Sequence, residues 1–435
     1  MDILPPSPIS PQSSEHLAPT FSQVAGEAAD TIVQPNKVLL VTELPTTPLV
    51  AISKDHFPSW KQAFKQALFL FGVTHLIYLF LTYLAALFEV KNFSKTALPL
   101  TTLLHRWDRW DTEHFTSIAT QGYTAPWKTA FFPLYPFLES VVSFIIHDPF
   151  VAGLILANLA SFGILMILYK LVAEDFGHEH ASRTSLYLSL YPAAFFLAAA
   201  YNESLFLLCV LACFYALRHQ QWWFAGICGL LASLTRSAGI LLVVPFCYEY
   251  LRSCNFQWKK IRWQSLNVLL IPCGLGMFAL YCGWQFHDPL AFSHAQSVWG
   301  RQFRLPPLGF ISSLRLIVTN PMLTFTSIHN VIDLSAGLVI GVLVVLSFIG
   351  PWRFRQRTLA YALYGAVAFL FVIIFPSTIG APLQSQMRLV MEVFPAFMVL
   401  AMMGKDQKVH TAYMLLSNGL MIFFLLQFLT GYWMV

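Results

Sequence analysis

A short polar segment, residues 105–114, holds the side chains best suited to group-transfer chemistry. Its sequence is His105-Arg106-Trp107-Asp108-Arg109-Trp110-Asp111-Thr112-Glu113-His114. A carboxylate such as Asp108 or Asp111 can act as a general base toward an acceptor hydroxyl, and arginines can offset the charge of a phosphate. On spacing alone, a solvated, salt-bridged interfacial loop is an equal alternative. A divalent-ion site built from both aspartates, His105 and His114 is a weaker one, because the spacing matches no strong metal signature.

Three further charges stand at the ends of apolar stretches. Glu203 is a lone carboxylate between two apolar runs, Arg236 lies deep in apolar sequence, and Arg388 precedes the run that ends at Met403. Charge at such positions is costly in a membrane, so each marks a candidate functional site. We expect Arg236 to need an acid, such as Asp111 or Glu203, or a ligand phosphate. A plain turn at Glu203 and a snorkelling arginine are the structural alternatives.

Composition indicates the environment in which these residues work. The chain has 435 residues, of which 57% are hydrophobic and 11% charged, and its mean hydropathy is +0.62. Soluble domains usually carry about 25% charged residues, so a bilayer is the expected surrounding. The net charge of +5 comes without a dense Lys/Arg run, so we expect membrane lipids as partners and no nucleic acid.

The chain divides into an N-terminal tail and a membrane domain. Residues 1–60 are rich in proline and polar residues, which predicts a disordered cytoplasmic tail. Residues 66–435 form the predicted all-α polytopic domain, a bundle of about eleven or twelve transmembrane helices. The predicted spans are 66–88, 150–172, 184–200, 202–217, 222–235, 237–251, 264–286, 332–351, 358–376, 386–403 and 411–431, with 131–147 as a further span or a re-entrant helix.

The distribution of basic residues predicts the orientation. Short loops with Lys or Arg favour the cytoplasmic side, which places Arg218 and the basic segment 252–262 there. The outer face then holds the loops 89–130 and 287–331, together with the segments around Glu203, Arg236 and Arg388. Two arginines and an acid on one face suit an anionic lipid-phosphate donor and an acceptor base.

The polar motifs, taken in order, resemble the PIG-V family of GPI mannosyltransferase II type, in its prokaryotic branch. The resemblance covers roughly residues 66–400. Asn202 stands where Thr or Ser is expected, and Leu389 where Tyr is expected. The matching motifs are Arg109-Trp110-Asp111 with Phe115, Ile118-Ala119 and Gly122-Tyr123, then Phe131-Phe132-Pro133-Leu134-Tyr135-Pro136, Tyr201-Asn202-Glu203-Ser204, Thr235-Arg236-Ser237-Ala238-Gly239, and Trp299-Gly300-Arg301 with Pro306.

The resemblance implies a GT-C type membrane glycosyltransferase that transfers a hexose, mannose in this family, with inversion. The donor is then a polyprenyl-phosphate sugar and the acceptor a lipid or glycan. No cofactor and no divalent metal is expected. Asp111 matches the family's catalytic base, with Asp108 as its rival. The predicted substrate-binding residues are Arg109, His114, Glu203, Arg236, Arg301 and Arg388.

Two other classes of protein remain open from the sequence. A polytopic transporter or lipid flippase would have a similar number of spans, but it would more often carry mid-span charges and paired breaks in its two halves. A non-catalytic assembly subunit is the third possibility. The short loops and the form of the motifs favour a bacterial plasma membrane over the endoplasmic reticulum.

Overall fold

A computed structural model describes residues 59–89, 99–321, 324–378 and 380–432. The regular elements in these ranges are helices, as predicted, and an isolated bridge joins Arg301 to Ser377. The α-helices are α1 (Trp60–Glu89), α2 (Leu100–Leu104), α3 (Asp111–Gln121), α4 (Leu134–Ile146), α5 (Pro149–Phe176), α6 (His178–Ser189), α7 (Glu203–Arg218), α8 (Trp222–Thr235), α9 (Val243–Ser253), α10 (Leu270–Phe286), α11 (Ala291–His294), α12 (Pro306–Thr319), α13 (Phe325–Leu346), α14 (Leu359–Ile374), α15 (Gln386–Leu389), α16 (Phe394–Met403) and α17 (Gln407–Leu429).

The described residues contain fewer full-length membrane helices than the eleven or twelve predicted. Five are long and apolar enough to cross a bilayer, and a bent pair would make a sixth. They are Trp60–Phe88, Pro149–Phe176, Trp263–Phe286, Phe325–Leu346 and Gln407–Leu429. Four further apolar helices have only 10–17 residues: α4, α8, α12 and α14. The helical membrane fold is confirmed, while several predicted spans are helices too short to cross alone.

The predicted span 184–200 is wrong as a single helix. Helix α6 ends at Ser189, and a buried irregular segment runs from there to α7. Pro192 cannot donate a backbone hydrogen bond and disfavours helical geometry in the residue before it. Backbone that departs from the α-helix is tolerated where protein surrounds it, and residues 190–204, which include the 3-10 helix Ala194–Leu197, are buried throughout.

The predicted span 386–403 is bent rather than straight. Residues Gln386–Glu392 and Phe394–Met403 meet at 85°. Pro395 lies in the first turn of α16, where a missing N–H is tolerated. The segment 131–147 becomes α4, whose 13 residues extend about 20 Å, less than the roughly 30 Å of a bilayer core.

The structure describes only the last two residues of the predicted N-terminal tail, residues 59 and 60. Helix α1 starts at Trp60, six residues before the predicted start at 66. The predicted disordered tail lies outside the described residues as far as residue 58.

Helix α7 connects two clusters of buried charge. It begins at Glu203 and ends at Arg218, so its 16 residues separate the clusters by about 24 Å. At the Arg218 end, this guanidinium contacts Asp175 and lies 3.5 Å from Glu249. Because Arg218 is predicted to be cytoplasmic, the Glu203 end corresponds to the predicted outer side.

Candidate active site

The Glu203 end of α7 holds a continuous network of three acids and two arginines. Arg388 donates to Asp111 Oδ2 at 2.7 Å and, through Nε, to Glu203 Oε1 at 2.7 Å. Arg236 donates to the same Glu203 oxygen at 2.7 Å and lies 3.2 Å from Glu392. The acidic partner predicted for Arg236 is therefore Glu203, and four predicted site residues from distant motifs come together.

Helix α3 presents Asp111 as its first residue. An acid in the first turn is favoured by the helix dipole, and Gly122 ends the helix with a φ of +70°. The preceding residue, Trp110, has a φ of +53°, which is strained for a side chain of this size. The Tyr201 hydroxyl donates to the Arg109 carbonyl at 2.9 Å. The surrounding packing thus holds a bent backbone that directs Asp111 toward Arg388.

The Arg236 side chain is positioned by the turn after α8. Its backbone is extended where the helix ends, and its guanidinium also donates to Asn202 Oδ1 at 3.1 Å. The Asn202 amide in turn donates to the Thr235 carbonyl at 3.0 Å. Gly239 closes this turn, because a Cβ there would lie 2.3 Å from the Ser233 nitrogen. The motif from Thr235 to Gly239 therefore serves to place one guanidinium.

Arg388 is held by the bend between α15 and α16. Asp333, on α13, accepts from the Met387 backbone nitrogen at 2.8 Å. Arg301 donates to the carbonyls of Phe375 and Gln384 at 3.2 and 2.8 Å. Arg301 thus braces the loop that leads to Arg388, and its predicted role in substrate binding stays a prediction.

The acids of the network differ in their access to solvent. The Asp111 side chain is 23% exposed, whereas those of Glu203 and Glu392 are 0% and 7% exposed. A proton acceptor has to reach its substrate. Asp111 is therefore the acid of this network best placed to meet an acceptor, and the buried acids hold the arginines.

Asp108, the rival base, stands outside this network. It is half-buried, and burial together with the nearby Glu113 carboxylate raises its pKa above the ordinary value. Glu139, on α4, is fully buried, and its carboxyl group accepts a hydrogen bond from the Thr116 hydroxyl at 2.8 Å. Burial raises the pKa of Glu139 to about 8, so this carboxyl is mainly neutral at pH 7.

The described contacts of Arg109 and His114 are with groups outside the network. Arg109 Nη2 donates to the Leu429 carbonyl at 3.4 Å, near the end of α17. Its side chain also borders an open cleft of about 420 Å³, lined by Thr101, Thr102, His105, Arg106 and Arg109. His114 contacts aromatic rings rather than the acids of the network. Within the described residues, no three His, Cys, Asp or Glu side chains form a group that could hold a metal ion.

Sequence reasoning missed Glu392, Asp333 and Glu139. Each is a buried acid inside an apolar stretch. The signal that could have found them was the rarity of acids in such stretches, which makes each a functional candidate by default. The same argument identified Glu203, Arg236 and Arg388 as candidates, and it holds equally for these three acids.

Comparison with known proteins bears on this site directly. Residues 81–281 match the family model "Mannosyltransferase (PIG-V)". This range includes Asp111, Glu203 and Arg236, and it excludes Arg388 and Glu392.

Curated relatives match over a similar length. The chain is 31% identical over 210 residues to the GPI alpha-1,6-mannosyltransferase 2 of Mus musculus, covering 43% of this chain and 42% of that protein. It is 32% identical over 195 residues to the GPI mannosyltransferase 2 of Cryptococcus neoformans, covering 40% and 46%. The chain thus spans less than half the length of these relatives.

Among solved structures, the chain is similar to an oligosaccharyltransferase of Archaeoglobus fulgidus. In one crystal structure the TM-score is 0.41 at 13% identity, covering 83% of this chain and 53% of the other. In a second, with a tethered acceptor peptide, the TM-score is 0.44 at 12% identity, covering 86% and 56%. The resemblance seen in the motifs is confirmed over residues 81–281, which are related to the mannosyltransferase (PIG-V) family.

Proposed function

We propose that this protein is a membrane mannosyltransferase of GT-C type with Asp111 as its general base. It transfers a hexose, mannose, from a polyprenyl-phosphate donor to a hydroxyl of a lipid or glycan acceptor at the outer membrane face. The observation that carries the proposal is the Asp111–Arg388 contact, in which a fixed arginine holds a solvent-accessible carboxylate at 2.7 Å. The relationship to GPI mannosyltransferases supports the type of reaction.

The transfer step follows from these positions. Arg388 engages Oδ2 of Asp111, and the other carboxylate oxygen takes the proton of the acceptor hydroxyl. The acceptor oxygen then attacks the anomeric carbon, and the bond from that carbon to the phosphate oxygen breaks. Because the anomeric carbon undergoes a single displacement, its configuration is inverted. The lipid phosphate leaves as an anion at neutral pH, so the step needs no second acid catalyst.

The donor phosphate is assigned to the open cleft beside Arg109. The two arginines of the network, Arg236 and Arg388, are each paired with carboxylates, so the charge of these guanidiniums is already offset by the acids. The cleft instead offers two arginines, His105 and two threonine hydroxyls. Such groups bind phosphate oxygens by charge and hydrogen bonds. In this arrangement Arg109 contacts the donor, whereas Arg236 and Arg388 position the acids.

The proposal also covers the membrane in which the protein resides and the branch of the family to which it belongs. The motif form favours a prokaryotic-type enzyme in a bacterial plasma membrane, with the endoplasmic reticulum as the alternative. Fractionation of the source cells, with immunodetection of the chain in each membrane, would decide it.

A transfer assay tests the proposed reaction. The purified full-length chain in detergent would receive polyprenyl-phosphate mannose labelled in the sugar, together with a lipid extract as acceptor. We expect label in a new product, and less with the corresponding glucose donor. Failure to form any labelled product with extracts that support other mannosyltransferases would contradict the proposal.

The rival transporter or flippase predicts a different outcome. In proteoliposomes, a flippase would move labelled donor between leaflets without forming a product. The described charged network sits at one end of α7 rather than midway along it, which favours an enzyme at the membrane rim. Leaflet movement without chemistry would therefore replace the enzyme proposal.

A further inference from the structure

An aromatic cluster surrounds His114, beside the proposed base. The His114 ring lies 5.5 Å from that of Trp127, 4.9 Å from Phe131 and 5.4 Å from Trp299, measured between centroids. Phe131 and Trp299 also meet edge to face at 5.7 Å. We call Trp127, Phe131 and Trp299 the aromatic triad. Trp127 and Phe131 are four residues apart, whereas Trp299 comes from a distant segment, so the fold brings two segments of the chain together at His114.

The triad lies on the same side of α3 as Asp111. His114 follows Asp111 by three residues, and side chains with this spacing are neighbours on one helix face. The Trp299 segment is tied to the loop that leads to Arg388, because the Thr378 nitrogen donates to the Gly300 carbonyl at 2.7 Å. The triad and the acid network therefore share the same two supporting elements, α3 and the loop before Arg388.

The triad is only partly buried. Trp299 keeps 36% of its surface exposed, whereas Phe131 keeps 9%, and Trp127 and His114 are half-buried. Lys128 fixes the Trp127 ring: its Nζ lies 5.9 Å from the ring centroid and donates to Ser117 on α3 at 2.8 Å. Rings that served only as core would be covered on both faces. The two tryptophan rings of the triad therefore pack against neighbouring side chains and remain partly exposed.

Partly exposed aromatic rings beside polar groups fit one class of ligand well. A pyranose ring has an apolar C–H face and a rim of hydroxyls. Aromatic side chains offer a large, flat apolar surface that packs against the C–H face of the sugar. A few polar groups then fix the orientation of the sugar through its hydroxyls. Here His114 and Asp111 are the polar groups next to the rings. A purely apolar ligand, such as a lipid chain, would make no use of the hydrogen-bonding groups of His114.

We propose that the aromatic triad is the acceptor subsite and that it binds a pyranose ring of the acceptor. Trp299 and Trp127 hold the ring's apolar face, and His114 hydrogen-bonds a hydroxyl at its rim. This placement brings a neighbouring hydroxyl toward Asp111. The inference rests on the proposed function for the meaning of "acceptor", but the binding of a pyranose does not depend on transfer.

The binding experiment uses free methyl pyranosides as probes. Saturation-transfer difference NMR on the full-length chain in nanodiscs would be run with the methyl glycosides of mannose, glucose and N-acetylglucosamine. We expect transfer to the C–H protons of at least one sugar, loss of this signal in Trp299→Ala and Trp127→Ala, and partial recovery in Trp299→Phe. Trp284→Ala is the matched control, since Trp284 is 76% exposed on α10.

A kinetic experiment gives the second measurement. In the transfer assay, Trp299→Ala should raise the acceptor KM roughly tenfold, as expected for loss of one aromatic contact, with kcat and donor KM little changed. Unchanged pyranoside signals and acceptor KM in both tryptophan variants would overturn the subsite, even if the wild type transfers sugar. Pyranoside binding that depends on Trp299 in a protein without transfer activity would keep the subsite and reject the proposed enzyme.

Discussion

The Asp111 carboxylate and the Arg388 guanidinium lie 2.7 Å apart although 277 positions separate them in the chain. Arg388 simultaneously contacts Glu203, and its guanidinium lies over the rings of Phe196 and Tyr201 at 4.9 and 4.5 Å. One arginine thus connects the start of α3, the start of α7 and the bend before α16. The positions of these three elements are coupled through this side chain.

Replacing Arg388 should destabilise the protein strongly. In Arg388→Met, two largely buried carboxylates lose their shared cation, and breaking such a pair typically costs about 3–5 kcal/mol. Thermal unfolding in detergent should show a clear drop in the midpoint. Arg388→Lys should recover only part of it, because an ammonium group cannot reproduce the planar fork of a guanidinium.

The control for this variant is Arg304→Met. Arg304 is exposed and follows Arg301 by three residues, so removing its charge should leave the midpoint almost unchanged. Equal losses in Arg304→Met and Arg388→Met would mean that the network does not contribute specifically to stability.

The two buried glutamates that contact Arg236 should respond differently to neutralisation. Glu203 bridges both arginines, whereas Glu392 contacts only Arg236 in the described network. The network holds three carboxylates and two guanidiniums. Glu392→Gln therefore removes an excess charge and should change the unfolding free energy by less than about 1 kcal/mol, while Glu203→Gln should cost about 3–5 kcal/mol.

The same thermal measurement, with both variants side by side, checks this asymmetry. A larger loss in Glu392→Gln than in Glu203→Gln would show that Glu392 is a principal support of the network. Sugar transfer by Glu392→Gln should stay close to that of the wild type, because Asp111 and Arg388 keep their contact.

Glu139 should make stability depend on pH. Burial raises the pKa of Glu139 from its ordinary value of 4.5 to about 8, so the folded state binds this proton more tightly than the unfolded chain does. This contribution is complete below pH 4.5 and is lost as pH rises toward 8, with a slope of up to about 1.4 kcal/mol per pH unit. Glu139→Gln should flatten that slope and be more stable than the wild type at pH 8.

Unfolding midpoints measured between pH 5 and 8 provide the comparison. Glu113→Gln is the control, because Glu113 is exposed on the neighbouring helix α3. A wild-type slope that survives in Glu139→Gln would assign the pH dependence to another group.

Local sequence signals were sufficient for part of this architecture. Helix α8 begins and ends where it was predicted, at residues 222 and 235, since an apolar run is bounded by polar residues at both ends. The partner of Arg236 was also among those expected, because a buried arginine requires an acid. Hydropathy and the cost of buried charge are local properties of the sequence, and they determined these features.

The remaining features depend on contacts between distant segments. The 85° bend at residue 393 and the irregular segment after Ser189 lie in apolar runs that look continuous by hydropathy. Neighbouring helices supply hydrogen-bond partners for the backbone groups of these segments, and no local sequence pattern predicts those partners. The contact between Asp333 and the Met387 nitrogen is of the same kind. A prediction based on hydropathy also treats short apolar helices as full membrane spans, so it gave too many spans.

The most direct test of the account compares Asp111→Asn with Asp108→Asn in the sugar-transfer assay. Asparagine keeps the size of the side chain and removes the proton acceptor, so loss of a general base should lower kcat by about 10²–10⁴-fold. We predict this loss for Asp111→Asn, with donor binding retained, and a much smaller effect for Asp108→Asn. Undiminished transfer by Asp111→Asn, with activity lost instead in Asp108→Asn, would contradict the assignment of the base.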